Sequence, residues 1–186
     1  MKSLISNMET NSSALWFAMY ATYKREFVAQ DYLTNKGFEV FVPTRKVIKV
    51  VGGIKKKITV PAVNSLIFVK GEREKLQQAK FGVEYLQYIT RRENARNVPI
   101  TVPEREMEKF IQVVQDDTVD KTFFAPDEVN LAEGTKVRIH GGSFDGIEGI
   151  LVKIKGKRNK QFFINIEGLV ALNINTANVE LIEQID

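Results

Sequence analysis

Residues 133–156 read EGTKVRIHGGSFDGIEGILVKIKG, with six glycines in 24 positions and, between them, an alternation suited to β-strands. Val137 and Ile139 alternate with Lys136 and Arg138, so one face of that strand is apolar and the other charged. Gly141, Gly142 and Gly146 supply the positive φ of a tight turn, and Gly149 marks a bulge or a close backbone approach. Downstream come ILVKI, QFFINI, LVALNI and VELIE, separated by KGKRNK, EG and NTAN. Five short strands in such a short span predict a small closed β-barrel, a shape that leaves no sheet edge exposed.

That segment belongs to a chain of 186 residues, 44% hydrophobic and 27% charged, enough for one ordinary domain or two small ones. The absence of cysteine excludes a disulfide framework, a thiolate nucleophile and a Cys-type zinc site. The opening MKSLISNMETNSS lacks the apolar stretch of a secretory signal, and no later run reaches the ~20 apolar residues of a membrane span. A cytoplasmic protein with a polar tail at 1–13 and no membrane partner is expected.

Charge divides the chain further. Residues 14–115 carry 18 Lys and Arg against ten Asp and Glu, a net +8; residues 116–128 carry five acids and one lysine; residues 129–186 balance seven against seven. A basic domain (14–115), an acidic linker (116–128) and a neutral barrel domain (129–186) follow. The linker has breaker residues and no sustained period, with Phe123 and Phe124 as possible contacts to a domain.

The basic domain reads as alternating strand and helix. ALWFAMYAT suits a buried strand, and Val28, Ala29, Tyr32 and Leu33 mark one face of the helix after it, closed by Gly37. FEVFVPTRKVIKVVGGIKKKITV reads as a strand feeding a hairpin that turns at Gly52-Gly53 and bears Lys46, Lys49, Lys55, Lys56 and Lys57. SLIFVKG is a strand, EREKLQQAKFG a short helix, VEYLQYIT a strand. Thr101-Val102-Pro103-Glu104 has the form of a capping box, after which Met107, Phe110, Ile111 and Val114 fall at i, i+3, i+4 and i+7. The expected fold class is α+β: an α/β sandwich with a mainly antiparallel sheet, followed by the barrel.

Enzymatic patterns are missing. The lone His140, expected in a turn, has neither a second His nor Cys beside it for zinc, and no G-x-S-x-G context for a triad. GGSFDG lacks the Lys and Ser/Thr of a phosphate-binding loop, and no cofactor motif occurs.

GTKVRIHGGSFDGIEGIL resembles the KOW motif through Gly134, Val137, Ile139, Gly142, Phe144, Gly146 and Gly149. LWFAMYATYKREFVAQDYL, FVPTRKVIKVVGGIKKK, LIFVKG and PITVPEREMEKFI stand in the order found in the N-terminal domain of the NusG transcription elongation factors. The resemblance covers about residues 14 to 186 and is nearer to specialised paralogues of the UpxY and RfaH kind. It implies a monomeric, non-enzymatic bridging factor without cofactor, acting in antitermination of long, polysaccharide-type operons. Its N-terminal domain would grip the clamp helices of the β′ subunit of RNA polymerase through Trp16, Tyr20, Val63, Leu66 and Phe68, with Leu66 and Phe68 as anchors.

Where the family has F-P-[GN]-Y, this chain has Val63-Asn64-Ser65-Leu66, which removes the Pro and the Tyr hydroxyl. The same five side chains also read as ordinary filling of the sheet core. The net +8 would face DNA near the transcription bubble through Lys24, Arg25, Lys55, Lys56, Lys57, Arg91 and Arg92, although charge runs are equally the mark of a solvated face. By alignment, the KOW domain would bind a second protein, Rho or a small-subunit ribosomal protein, near Phe144, Ile147 and Ile166. The alternative is an RNA-binding or ribosome-associated KOW protein with no polymerase partner, which predicts a basic second domain where this one is neutral.

Overall fold

The computed structural model describes residues 14–125, 127–156, 158–174 and 181–185. The polar tail and the NTAN turn lie outside them. In chain order the first unit comprises β1 (Leu15–Ala21), α1 (Glu26–Asn35), β2 (Glu39–Phe41), β3 (Thr44–Val51), β4 (Ile54–Pro61), β5 (Leu66–Gly71), α2 (Arg73–Lys80), β6 (Leu86–Tyr88), β7 (Thr90–Glu93), β8 (Arg96–Pro99), β9 (Thr101–Val102) and α3 (Glu104–Gln115). β1 is the central strand of an antiparallel sheet ordered β2-β5-β1-β6, with β9 also on β1. The β3–β4 and β7–β8 hairpins are separate two-stranded ribbons.

The alternation of β1 sorts its side chains into two layers. Phe17, Met19 and Ala21 meet Ala29 and Leu33 of α1 and Leu76 of α2 in one core. Trp16 and Ala18 point the other way, with Leu66 and Phe68 of β5, toward Met107 and Phe110 of α3. Of the face expected on α1, Ala29 and Leu33 are fully buried, Tyr32 donates its hydroxyl to the Ala79 carbonyl at 2.8 Å, and Val28 is exposed. Gly52 and Gly53 turn the β3–β4 ribbon with φ of 59° and 77°, values an L-residue reaches only at a cost.

The capping box does not form. Thr101 is drawn into β9, paired with Phe17, and the helix is entered through Pro103 with no side-chain cap. Glu104 instead accepts from Lys70 Nζ at 2.7 Å, and Glu104 and Glu106 place negative charge in the first turn, where the helix dipole favours it.

The second unit differs from the expected closed, five-stranded barrel. β10 (Lys121–Phe124), β11 (Thr135–His140), β12 (Glu148–Val152), β13 (Gln161–Ile166), β14 (Val170–Ile174) and β15 (Leu181–Gln184) form one antiparallel sheet ordered β10-β14-β13-β12-β11-β15. Among the described residues no pairing joins β10 to β15, so the sheet keeps two edges. The sixth strand comes from the segment read as a linker. Phe123 packs into the core shared with the first unit, and Phe124 turns to the opposite face, edge-on to Phe163 at 5.5 Å. That alternation makes KTFF a strand once β14 lies beside it. Gly149 behaves as expected: a Cβ there would collide with the Phe162 ring and the Phe163 carbonyl. His140 ends β11 rather than occupying a turn, and its Nε2 lies 2.8 Å from a Glu183 carboxylate oxygen, a bond that holds the Glu183 carboxyl below its ordinary range.

A single apolar cluster runs from β1 and β5 through α3 into β11, β13 and β14. Phe110 lies at its centre, edge-on to Phe41 at 5.8 Å and to Phe68 at 6.0 Å. Phe110→Ala removes both ring contacts and leaves a cavity, and is expected to cost about 3–5 kcal/mol of unfolding free energy in urea denaturation followed by circular dichroism. A loss below about 1 kcal/mol would mean that α3 is not seated between the two sheets.

Candidate functional site

An open groove of about 1370 Å³ separates the first sheet from β10. Tyr20, Val63 and Leu66 line it, together with Phe41 and Val114 on one side and Phe123 on the other. Tyr20 and Leu66 are directly opposite on β1 and β5, so the pairing register sets their side chains next to each other. Tyr20 is 44% exposed, whereas Leu66 is 3% exposed and forms part of the core. A charge at Leu66 is therefore expected to destabilise the fold rather than disarm a surface.

Trp16 and Phe68 are on the same face of the sheet but beneath α3, at 2% and 0% exposure. The indole N–H of Trp16 is buried without a partner among the described residues. The structure thus divides the five expected docking residues: Tyr20, Val63 and Leu66 meet at the groove, and Trp16 and Phe68 support it from the interior. Sequence reading did not single out Phe41, and it marked Phe123 only as a contact of the linker to a domain, not as part of a site. They reach the groove only because β2 pairs with β5 and β10 pairs with β14.

The loop that carries Val63 is fixed by a residue that sequence reading also missed. Glu26, at the head of α1, is 2% exposed and accepts a hydrogen bond from the Ser65 N–H at 2.6 Å. Ser65 is held at φ 61°, a left-handed conformation that costs an L-residue about 1–2 kcal/mol. This is the position where the F-P-[GN]-Y pattern has Gly or Asn, the residues that adopt that conformation most readily. At the end of the groove Lys46 of β3 bonds the Asp117 carboxylate, which holds that carboxyl below its ordinary range. Lys121 donates to the Val113 and Asp116 carbonyls, at 2.9 and 2.5 Å, closing the C-terminal end of α3.

The other expected site residues are dispersed. Lys24 is exposed at φ 57°, and the Arg25 guanidinium lies 5.0 Å from the centre of the Tyr85 ring. Lys55, Lys56 and Lys57 are exposed on β4, and Arg92 is exposed on β7. Arg91 is engaged by Glu93 and, at 2.8 Å, by Glu167 of the second unit. Phe144, Ile147 and Ile166 are 8%, 2% and 1% exposed and belong to the shared cluster, so none faces solvent in this arrangement. The second unit is further held to α3 by Lys109, whose ammonium donates to the Gly146 carbonyl, and burial pushes its pKa down.

A family model described as "Transcription termination factor nusG" matches residues 14–111. No curated protein matches the chain. Among solved structures it is similar to "Domain interaction in Thermotoga maritima NusG", with 19% identity over 94% of this chain and 98% of that one and a TM-score of 0.45. It is also similar to "Crystal Structure of MjSpt4:Spt5 complex conformation B", with 15% identity over 92% of this chain and 91% of that one and a TM-score of 0.28.

Three substitutions separate the hydrogen bond from the backbone conformation it holds. Glu26→Ala leaves the half-buried Ser65 N–H without its acceptor and is expected to cost about 1–3 kcal/mol, whereas Glu26→Gln keeps an acceptor and costs less. Ser65→Gly removes the left-handed penalty and is expected to gain up to about 1 kcal/mol. Urea denaturation checks all three, and equal losses for the Ala and Gln variants would show that the bond contributes nothing.

Proposed function

The chain belongs to the NusG family of transcription factors, and from that premise we propose that it is an elongation and antitermination factor that docks on RNA polymerase through the groove between the first sheet and β10. Its partner there is the pair of clamp helices of the β′ subunit, and it works by contact, without chemistry of its own. The observation that carries this reading is the convergence of Tyr20, Val63 and Leu66, from two strands and a loop, on one open groove. An accessible Tyr is among the residue types that most often anchor protein interfaces. Replacement of the family's Tyr by Leu66 removes a hydroxyl beside Tyr20, while Lys46, Lys57, Asn64 and Asp117 keep the rest of the lining polar.

The paralogue type that fits is the UpxY and RfaH kind, acting on long, polysaccharide-type operons; support for that finer placement is the sequence resemblance alone. Recruitment of a second protein through Phe144, Ile147 and Ile166 requires the second unit to leave α3, because those side chains are now buried against the shared cluster. Docking and recruitment therefore become linked: whatever frees the second sheet also widens access to the first. The neutral charge of residues 129–186 favours a protein partner there over an RNA.

Because Tyr20 is 44% exposed, Tyr20→Ala should leave thermal melting unchanged while weakening binding to core RNA polymerase at least tenfold, about 1.4 kcal/mol. Unaltered polymerase binding by the folded variant would sink this assignment. Tighter binding of the parent protein to structured RNA than to polymerase, at matched salt, would favour the ribosome-associated alternative instead.

A further inference from the structure

The β3–β4 ribbon projects charge and apolar surface that the fold does not use. Its strands pair from Thr44↔Pro61 to Val51↔Ile54 and bond to no other strand. Ile48, Val50, Val51 and Ile54 are each more than half exposed, the densest such group among the described residues. Residues 44–61 carry Arg45, Lys46, Lys49, Lys55, Lys56 and Lys57 and no Asp or Glu. Of these six, only Lys46 is within salt-bridge distance of a carboxylate among the described residues. Lys49 and Lys56 are directly opposite each other, an arrangement of like charges that weakens an isolated ribbon already marginal by its size. A polyanionic ligand relieves that repulsion.

We propose that this ribbon is a docking arm for duplex nucleic acid, its outer half entering the major groove while the lysines reach phosphates on both rims. Directly opposed residues share a face, so Lys49 and Lys56 point to one side with Val51 and Ile54, while Lys55 and Lys57 point to the other with Ile48 and Val50. A duplex groove surrounds the ribbon with phosphate on both sides and is wide enough, at about 12 Å, for a two-stranded ribbon. A membrane surface is disfavoured because lysines interrupt both faces and leave no apolar side to insert. A single strand is disfavoured because residues 42–67 contain no aromatic on which a base stacks. The outer half has no Arg, Asn or Gln to read base edges, so the arm recognises groove shape and phosphate, with its aliphatics meeting thymine methyls.

This inference rests on the reading that the chain works beside polymerase-bound DNA, but its test needs no polymerase. The full chain is titrated, by fluorescence anisotropy over a range of salt, against a labelled blunt DNA duplex of about two helical turns. The same strand unpaired, polyglutamate as competitor and phosphatidylserine vesicles serve as comparisons. Replacing Lys49, Lys55 and Lys56 together by Gln should weaken duplex binding at least tenfold at low salt and lower the log–log salt slope by about 2 to 3. The Arg triple variant should restore both. Val50→Ser with Ile54→Ser should weaken binding about threefold or more at an unchanged slope, since only apolar contact is lost. No measurable duplex binding at low salt, a slope unchanged by the Gln variant, or equal dependence of single-strand, polyglutamate or vesicle binding on the three lysines would overturn the proposal. None of these outcomes bears on Tyr20 and polymerase, so the two readings fail separately.

Discussion

The arrangement depends on α3 being buried from two sides. Phe110, Met107 and Val114 face the first sheet, and Phe110 meets Phe41 and Phe68 edge-on. Lys109, one residue away, turns toward the second unit and bonds the Gly146 carbonyl. A helix seated against one sheet alone would leave its other flank in water and the second sheet with an uncovered apolar face. Seated between both, it joins their cores into one cluster, in which Phe162, Ile166 and Leu172 are as thoroughly buried as Trp16 and Phe68.

The groove is a product of that seating. β5 ends its loop at Leu66 on one side, and β10 brings Phe123 across from the other. Between them runs the connector from the end of α3 to β10, where Lys46 bonds Asp117 at the groove and Thr118 bonds Asp116. Tyr20 lines the groove and is half exposed. In this arrangement Tyr20 is accessible at the groove, whereas Phe144, Ile147 and Ile166 are internal.

Much of this was legible in the chain. The buried strand at ALWFAMYAT, the Gly52-Gly53 turn and the i, i+3, i+4, i+7 spacing on α3 each follow from local sequence, and each stands in the structure. What periodicity could not convey was partnership between distant segments. Lys109 reads as a solvent residue until Gly146 supplies its acceptor, and KTFF reads as linker until β14 lies beside it. Thr101 has the sequence of a cap but pairs with Phe17, because a vacant place beside β1 outcompetes one helix-end hydrogen bond. Glu26 carries no sequence signal at all; its acceptor role depends on Ser65, 39 positions away. Burial of Trp16 and Phe68 was among the readings open from sequence, and α3 decides it.

The central claim is that the groove lined by Tyr20, Val63 and Leu66 is a polymerase-docking surface. The most direct measurement places a photoreactive amino acid at Val63, half-buried at the rim of that groove, and maps its crosslinks in a mixture of core RNA polymerase, ribosomal subunits and nucleic acid. The account predicts that the label is recovered in the β′ subunit, within the clamp helices. Recovery on ribosomal protein or RNA, with none on polymerase, would contradict it.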